Sequence, residues 1–267
     1  MCPNCRAFIT VDDRVCPYCQ TKVGPKAIER RQPEQILGGL IPPARFTTIV
    51  ILLINVALYG ATALYSHNSD PDGRTLVAFG AKVSFADLAA SGQWWRLVTA
   101  GFLHGGLMHI GMNMWVLFDL GAEVEVVFGT SRFLIVYFIT TVVGFLLSAL
   151  WSPAISIGAS AALFGLIGAM IAFGITEKTA LGAAVKSLYI RWAIYGLALG
   201  LLPFFRIDMA AHIGGLISGF ICGYILRTPT ARTMWREPII KWAAMVCVFL
   251  TLVSFAFMFR FFIAATR

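Results

Sequence analysis

The stretch GASAALFGLIGAMIAFGITEK, residues 158–178, has the length and composition of one membrane crossing. From Ser160 it runs without a charge as far as Glu177, and a helix needs about 17 to 25 such residues to cross a bilayer. Its small residues recur at every fourth position and so share one helix face: Ala161, Gly165 and Ala169. We therefore predict a membrane helix that begins with a serine hydroxyl and packs closely against a second helix.

The rest of the chain is equally apolar. Of its 267 residues, 58% are hydrophobic and 13% are charged, and its mean hydropathy is +0.79, which excludes a soluble globular domain of this length. Because lipid cannot satisfy the backbone of open strands, we predict an all-α membrane protein. Seven stretches have the required length: 46–65, 105–122, 131–151, 158–176, 187–204, 208–226 and 240–263. The N-terminal residues lack the apolar core of a cleavable signal peptide, so we expect none.

Lysine and arginine are unevenly distributed between these spans, which predicts an orientation. They are concentrated in residues 1–45, 177–186 and 227–241, and the intervening connections are poorer in them. The positive-inside rule places these three segments in the cytoplasm, so we expect the N-terminus inside and the C-terminus outside. The membrane is expected to be the cell membrane of a bacterium. We attribute the net charge of +8 to this topology and to attraction to the lipid bilayer, and expect no nucleic-acid partner.

Two CPxC pairs precede the first span. Their spacing resembles that of small zinc ribbons, and a closed shell of four thiolates is structural rather than catalytic. The four ligands would be Cys2, Cys5, Cys16 and Cys19. A redox CxxC pair and disulfides are the alternatives, but the cytoplasm is reducing and no thioredoxin-like pattern follows. We predict a zinc-binding head at residues 1–22, whose own partner the sequence does not identify, and a cytosolic linker at residues 23–45.

Three predicted spans carry polar side chains, which are costly in lipid and suggest function. His109 and Asn113 lie four residues apart on one face of the second span. Ser160 begins the fourth span, and His212 lies near the start of the sixth. Counted from the charges expected at the cytoplasmic edge, at about 1.5 Å per residue, all three spans place these groups about 22–26 Å above that edge. We therefore expect them at one depth.

The fourth and sixth spans are expected to touch. The sixth carries its own stripe of small residues on the face of His212: Gly215, Gly219 and Gly223. Contact between the two stripes would bring His212 beside Ser160, where it could act as the base that makes the hydroxyl nucleophilic. His109, Asn113 and the backbone N–H at the start of the Ser160 helix could then stabilise an oxyanion.

These motifs resemble those of the rhomboid family of intramembrane serine proteases. HGGLMHIGMN at 104–113 is similar to the H-x-x-x-N of the family's second core helix, and GASA at 158–161 to its G-x-S-G. AHIGGLISG at 211–219 is similar to A-H-x-x-G-x-x-x-G. Two shorter matches are WWR at 94–96, and Glu125 with Gly129, which resembles E-x-x-x-G.

The resemblance implies a six-helix core at residues 46–226, followed at 227–267 by a cytosolic connection and a seventh helix. It assigns roles to four side chains: the nucleophile Ser160, the general base His212, and the oxyanion-side residues His109 and Asn113. No catalytic cofactor is implied. The implied function is that of a serine endopeptidase that cleaves transmembrane segments of other proteins near the outer leaflet. Ala161 replaces the glycine usual in the family, and we expect its methyl group to crowd the site.

Two other functions are compatible with parts of the sequence. An inactive rhomboid-like protein that binds membrane helices would account for Ala161. A transporter could use intramembrane histidine and asparagine residues along its path, but no inverted repeat and no acidic residue at mid-membrane are evident in the sequence.

Overall fold

The computed structural model describes residues 2, 4–8, 13, 15–22, 45–201, 207–229 and 231–265. They belong to two units, one within residues 1–43 and one within 44–267. Among the described residues of the second unit the regular elements are helices, which confirms the predicted all-α class. The α-helices are α1 (Phe46–Ser66), α2 (Gly73–Ala78), α3 (Phe85–Ser91), α4 (Arg96–Thr99), α5 (Leu107–Val116), α6 (Ala122–Phe128), α7 (Thr130–Trp151), α8 (Ser160–Thr176), α9 (Ala180–Leu199), α10 (Met209–Leu226) and α11 (Glu237–Ala265).

Four of the described helices are long and apolar enough to cross a membrane, which makes the chain a multi-pass membrane protein. They are α1, α7, α10 and the continuous helix Met234–Ala265, which contains α11. The apolar helix α8 is shorter. The second predicted span is not one regular α-helix. A π-helical segment at Leu117–Gly121 lies between α5 and α6. The count of seven crossings therefore stays a prediction.

The fifth predicted span begins earlier than expected. Sequence hydropathy placed its start at residue 187, whereas α9 starts at Ala180. The hydroxyl of Thr179 accepts the Gly182 N–H at 3.2 Å and caps the helix there. Lys186 therefore lies on the helix and not in a connection.

A buried carboxylate fixes the start of α1. Glu125 is 3% exposed and accepts the backbone N–H groups of Thr47 and Thr48 at 3.4 and 3.1 Å. It also accepts the hydroxyls of Thr48 and Thr130, both at 2.9 Å. Since no side chain caps α1 from its own N-cap position, Glu125 supplies the negative group that a helix N-terminus favours.

The packing of α8 against α10 confirms the predicted contact between the two small-residue stripes. A Cβ added to Gly215 or Gly219 would collide with the carbonyl oxygen of Ala161 or Gly165. A Cβ on Gly223 would lie 2.7 Å from the Cα of Ala169. The three contacts follow one constant register, so the two helices run parallel and their backbones touch. A larger residue at any of these three glycines would force the helices apart.

The last helix is fixed to the core by an ion pair. Arg132, near the start of α7, places its guanidinium 2.6 Å from the carboxylate of Glu237, the first residue of α11. The same guanidinium group donates through Nε to the Leu226 carbonyl at 3.3 Å, at the end of α10. One buried arginine therefore joins the ends of three helices.

The first unit contains two turns of the same construction. The Cys2 carbonyl accepts the Arg6 N–H at 3.0 Å, and the Cys16 carbonyl accepts the Gln20 N–H at 2.9 Å. Arg6 and Gln20 both have a positive φ, 59° and 61°. Each CPxC pair therefore forms the same tight knuckle.

Candidate active site

The turn before α8 brings two of the predicted site residues together. Gly158 has φ 120°, and its N–H donates to the Ala100 carbonyl at 2.9 Å. A Cβ built on Gly158 would lie 2.7 Å from Nε2 of His109 and 3.7 Å from Oγ of Ser160. The imidazole and the hydroxyl therefore both lie within 4 Å of the same point, and only glycine fits between them.

Ser160 is the first residue of α8 and is partly exposed. The first backbone hydrogen bond of this helix joins the Leu163 N–H to the Ala159 carbonyl at 3.0 Å. The N–H of Ser160 lies ahead of that bond, no side chain caps the helix, and the described residues give this N–H no acceptor. A backbone donor is thus available beside the hydroxyl, and its predicted role toward an oxyanion stays a prediction.

His212 lies in the first turn of α10 and is 5% exposed. Its ring stacks on Phe164 of α8, with centroids 4.2 Å apart and planes at 21°. Because Phe164 follows Ser160 by one helical turn, this stack places His212 against the α8 face that carries the serine. The structure shows no hydrogen bond between the Ser160 hydroxyl and His212. Such bonds often tighten only when a substrate is bound.

His109 is oriented by the backbone of the preceding loop. The Gly105 N–H donates to its Nδ1 at 3.4 Å, so in the neutral imidazole the hydrogen is on Nε2, the atom that faces Gly158. The Asn113 side-chain amide donates to the His109 carbonyl at 2.8 Å, within the same helix. Thus His109 presents a donor toward Gly158, while Asn113 supports the turn that carries His109, and the oxyanion-side roles of both residues stay predictions.

His104 is a site residue that sequence reasoning missed. Its side chain is completely buried, its ring lies 5.0 Å from that of His109, and neither of its nitrogens has a partner among the described residues. The signal was its place in the same short segment as His109. It precedes α5 and shares no helix face with Asn113, so helical spacing does not mark it as a site residue.

Asp208 was also missed, although it precedes α10 in a recognisable N-cap position. Its carboxylate accepts the Ala211 N–H at 3.0 Å and the hydroxyl of Ser148 on α7. Its carbonyl accepts the His212 N–H at 3.1 Å. Asp208 therefore fixes the turn that carries His212 to a neighbouring helix.

A buried lysine joins the loop after α1 to the connection between α7 and α8. Lys82 is fully buried, and its ammonium donates to the carbonyls of Ser152 and Ala154 at 2.9 and 2.8 Å. Burial lowers the pKa of Lys82, and the carboxylate of Asp208 opposes that shift. Two backbone hydrogen bonds between Lys82 and Ser156 strengthen the connection just ahead of Gly158.

The methyl group of Ala161 has a glycine opposite it. Ala161 is fully buried, and a Cβ added to Gly144 of α7 would lie 2.9 Å from the Ala161 Cβ. The space that the methyl group needs is therefore supplied by α7. Crowding of the site by Ala161, expected from the sequence, stays a prediction.

The four cysteines of the first unit form a cluster that fits one metal ion. All four sulfurs lie within 4.8 Å of one another, and the pairs Cys2–Cys19 and Cys5–Cys16 are each 3.6 Å apart. Tetrahedral zinc, with Zn–S bonds of about 2.3 Å, requires sulfur separations in this range.

Sequence comparison relates this chain to known proteins. The family model described as Rhomboid domain matches residues 91–229. The chain is 35% identical over 184 residues to Rhomboid protease GluP of Bacillus subtilis, covering 69% of this chain and 36% of that protein. It is 40% identical over 161 residues to RHOMBOID-like protein 6, mitochondrial, of Arabidopsis thaliana, covering 58% of this chain and 51% of that protein. It is 34% identical over 179 residues to Rhomboid-like protease 3 of Toxoplasma gondii, covering 65% and 67%. The chain thus spans about a third of the first relative and half of the second.

Proposed function

Because this chain belongs to the rhomboid family, we propose that it is a serine endopeptidase that cleaves transmembrane segments of other proteins near their outer ends. The observation that carries the proposal is the parallel contact of α8 with α10, in which His212 stacks on Phe164 one turn after Ser160. A nucleophile and a base on adjoining first turns are what acyl transfer by a Ser-His dyad requires.

The proposed reaction begins with attack of the Ser160 Oγ on the scissile carbonyl carbon. His212 takes the hydroxyl proton as the new C–O bond forms, and the carbonyl oxygen becomes an oxyanion. The Ser160 N–H and the Nε2–H of His109 are the donors placed to stabilise that charge. His212 then gives its proton to the leaving amine as the C–N bond breaks. Water hydrolyses the acyl-enzyme in a second round of the same proton transfers, without a cofactor.

We propose that the N-terminus faces the cytoplasm of a bacterial cell and the C-terminus the outside. The distribution of lysine and arginine supports this orientation. It places the start of α8 toward the outer leaflet and the residues after α10 in the cytoplasm. Membrane helices of other proteins, reached through the lipid, are then the substrates.

We also propose that Cys2, Cys5, Cys16 and Cys19 bind one structural zinc ion. The two matching knuckles and the close approach of the four sulfurs support this assignment. A head of this size has too few residues for an apolar core, so the metal would supply its folding free energy.

The proposed function is tested by cleavage of a single-span substrate in liposomes that contain the purified protein. Ser160→Ala and His212→Ala should each retain less than about 1% of the wild-type rate, because loss of a nucleophile or base costs several orders of magnitude. Ser218→Ala is the matched control, since this buried hydroxyl donates to carbonyls of its own helix. Cleavage above that level by either site variant would contradict the dyad. Binding of the substrate helix by a wild-type protein that never cleaves it would favour the inactive binder.

A further inference from the structure

The C-terminal half of α11 packs against the loop between α1 and α5, residues 67–106. Its contact residues recur at a spacing of three to four positions and so share one helix face: Phe255, Met258, Phe261 and Phe262. Phe257 and Phe259 flank this face, one on each side, and are 49% and 62% exposed. The aromatic residues of α11 therefore form two sets, an inward set that packs on the loop and an exposed, outward set that flanks it.

The inward residues of α11 contact the loop at several points. The ring of Phe255 lies edge-on to that of Phe102, with centroids 5.2 Å apart. Phe262 lies 4.6 Å from Phe79 between ring centroids. Gly80, with φ 96°, passes so close to Met258 that a Cβ there would lie 3.2 Å from its Cγ. The loop is thus shaped to fit α11.

A buried guanidinium group strengthens this contact. Arg96 is 2% exposed and lies 4.8 Å from the ring centroid of Phe261 and 4.7 Å from that of Trp95. Its N–H groups donate to the carbonyls of Val77 and Ala81 at 2.7 and 3.0 Å. Aromatic faces attract a cation most strongly where water is excluded. The Phe261 ring therefore stabilises an arginine around which this loop is folded.

The same loop segment supports the site. Phe102 closes a 3₁₀ turn, Ala100–Phe102, directly after α4. The carbonyl of Ala100 accepts the N–H of Gly158, and Gly158 lies between His109 and Ser160. A displacement of this turn would therefore displace the backbone that leads into the nucleophile.

We infer that α11 is a positioning element of the active site, in which Phe255 and Phe261 hold residues 96–102 and, through the Ala100–Gly158 hydrogen bond, the orientation of Ser160. This inference rests on the proposed function. It assigns the helix that follows the six-helix core a part in catalysis, although none of its residues touches the reacting atoms.

The test compares substitutions in the inward and outward sets of α11 in the full-length protein. Phe255→Ala and Phe261→Leu remove the inward contacts, Phe261→Tyr retains the aromatic face toward Arg96, and Phe257→Ala and Phe259→Leu are the matched outward controls. Four quantities are measured: kcat and KM for a single-span substrate, the rate constant of Ser160 labelling by a fluorophosphonate, and the unfolding temperature. All rates are taken well below the lowest unfolding temperature, so that every variant is folded.

We expect Phe255→Ala and Phe261→Leu to lower kcat and the labelling rate together by about tenfold or more, since misplacement of about 1 Å can cost about a hundredfold. KM should change little, and Phe261→Tyr should restore both rates. The outward controls should react as wild type does. Unchanged labelling by both inward variants, or an equal loss in the outward controls, would overturn the inference. A wild-type protein that neither cleaves nor labels would instead refute the proposed function.

Discussion

Gly158→Ala is the substitution that most directly probes the geometry of the site. The new methyl group would lie 2.7 Å from Nε2 and 2.9 Å from Cε1 of His109, so the imidazole or the turn must move. The backbone at φ 120° is also a conformation that alanine rarely adopts. The clash and the strain both arise at Gly158, two positions before Ser160.

The magnitude follows from these two terms. Backbone strain of this kind costs about 1–3 kcal/mol, and insertion of a methyl group into a packed site costs a further ~1–3 kcal/mol. The chain can reduce both by shifting the turn, but a shift of about 1 Å at a nucleophile costs about a hundredfold in rate. We therefore expect kcat to fall by at least about a hundredfold while the protein loses a few kcal/mol of stability at most.

The assay is steady-state cleavage of one single-span substrate in liposomes, with the unfolding temperature measured in parallel. Gly92→Ala is the matched control, because Gly92 also has a positive φ, 68°, but a Cβ there meets nothing within 4 Å. This control should lose some stability and keep its kcat. A wild-type kcat in Gly158→Ala would contradict this prediction, as would an equal loss of kcat in Gly92→Ala.

Three further predictions concern other parts of the chain. Ala161→Gly should leave kcat unchanged or raised, while the cavity opposite Gly144 and the lower helix propensity of glycine cost about 1–2 kcal/mol in unfolding experiments; a tenfold loss of kcat would contradict this. Glu125→Gln should lower stability by about 2–4 kcal/mol, because a buried carboxylate that accepts hydrogen bonds at the start of α1 is replaced by a neutral amide, and an unchanged unfolding temperature would argue against that role. The purified protein should contain about one zinc per chain by atomic absorption and lose it on Cys16→Ser, and a chelator should not slow cleavage by a chain that lacks the head.

Features set by local spacing could be predicted from the sequence. The small residues of α8 and α10 recur every fourth position, and the structure packs those stripes in register. The two CPxC pairs likewise predicted a cluster of four sulfurs. In each case residues a few positions apart determine which side of the backbone the groups occupy.

Contacts between distant segments that no repeated sequence pattern marks could not be predicted. Glu125 caps α1 from about seventy-eight positions away, and Lys82 binds carbonyls about seventy positions further along the chain. No local pattern specifies such partners, because they meet only after the helices have packed. The π-helical segment Leu117–Gly121, within the second predicted span, was likewise not predicted, since hydropathy does not distinguish a π turn from an α turn.

Covalent labelling tests the proposal that Ser160 is a nucleophile activated by His212. The intact protein in lipid is treated with a fluorophosphonate probe, and the modified residue is identified by mass spectrometry. We expect one label per chain at Ser160, none in Ser160→Ala, and labelling slowed by several orders of magnitude in His212→Ala. Labelling of the Ser160→Ala protein at the wild-type rate, or a wild-type rate in His212→Ala, would contradict it.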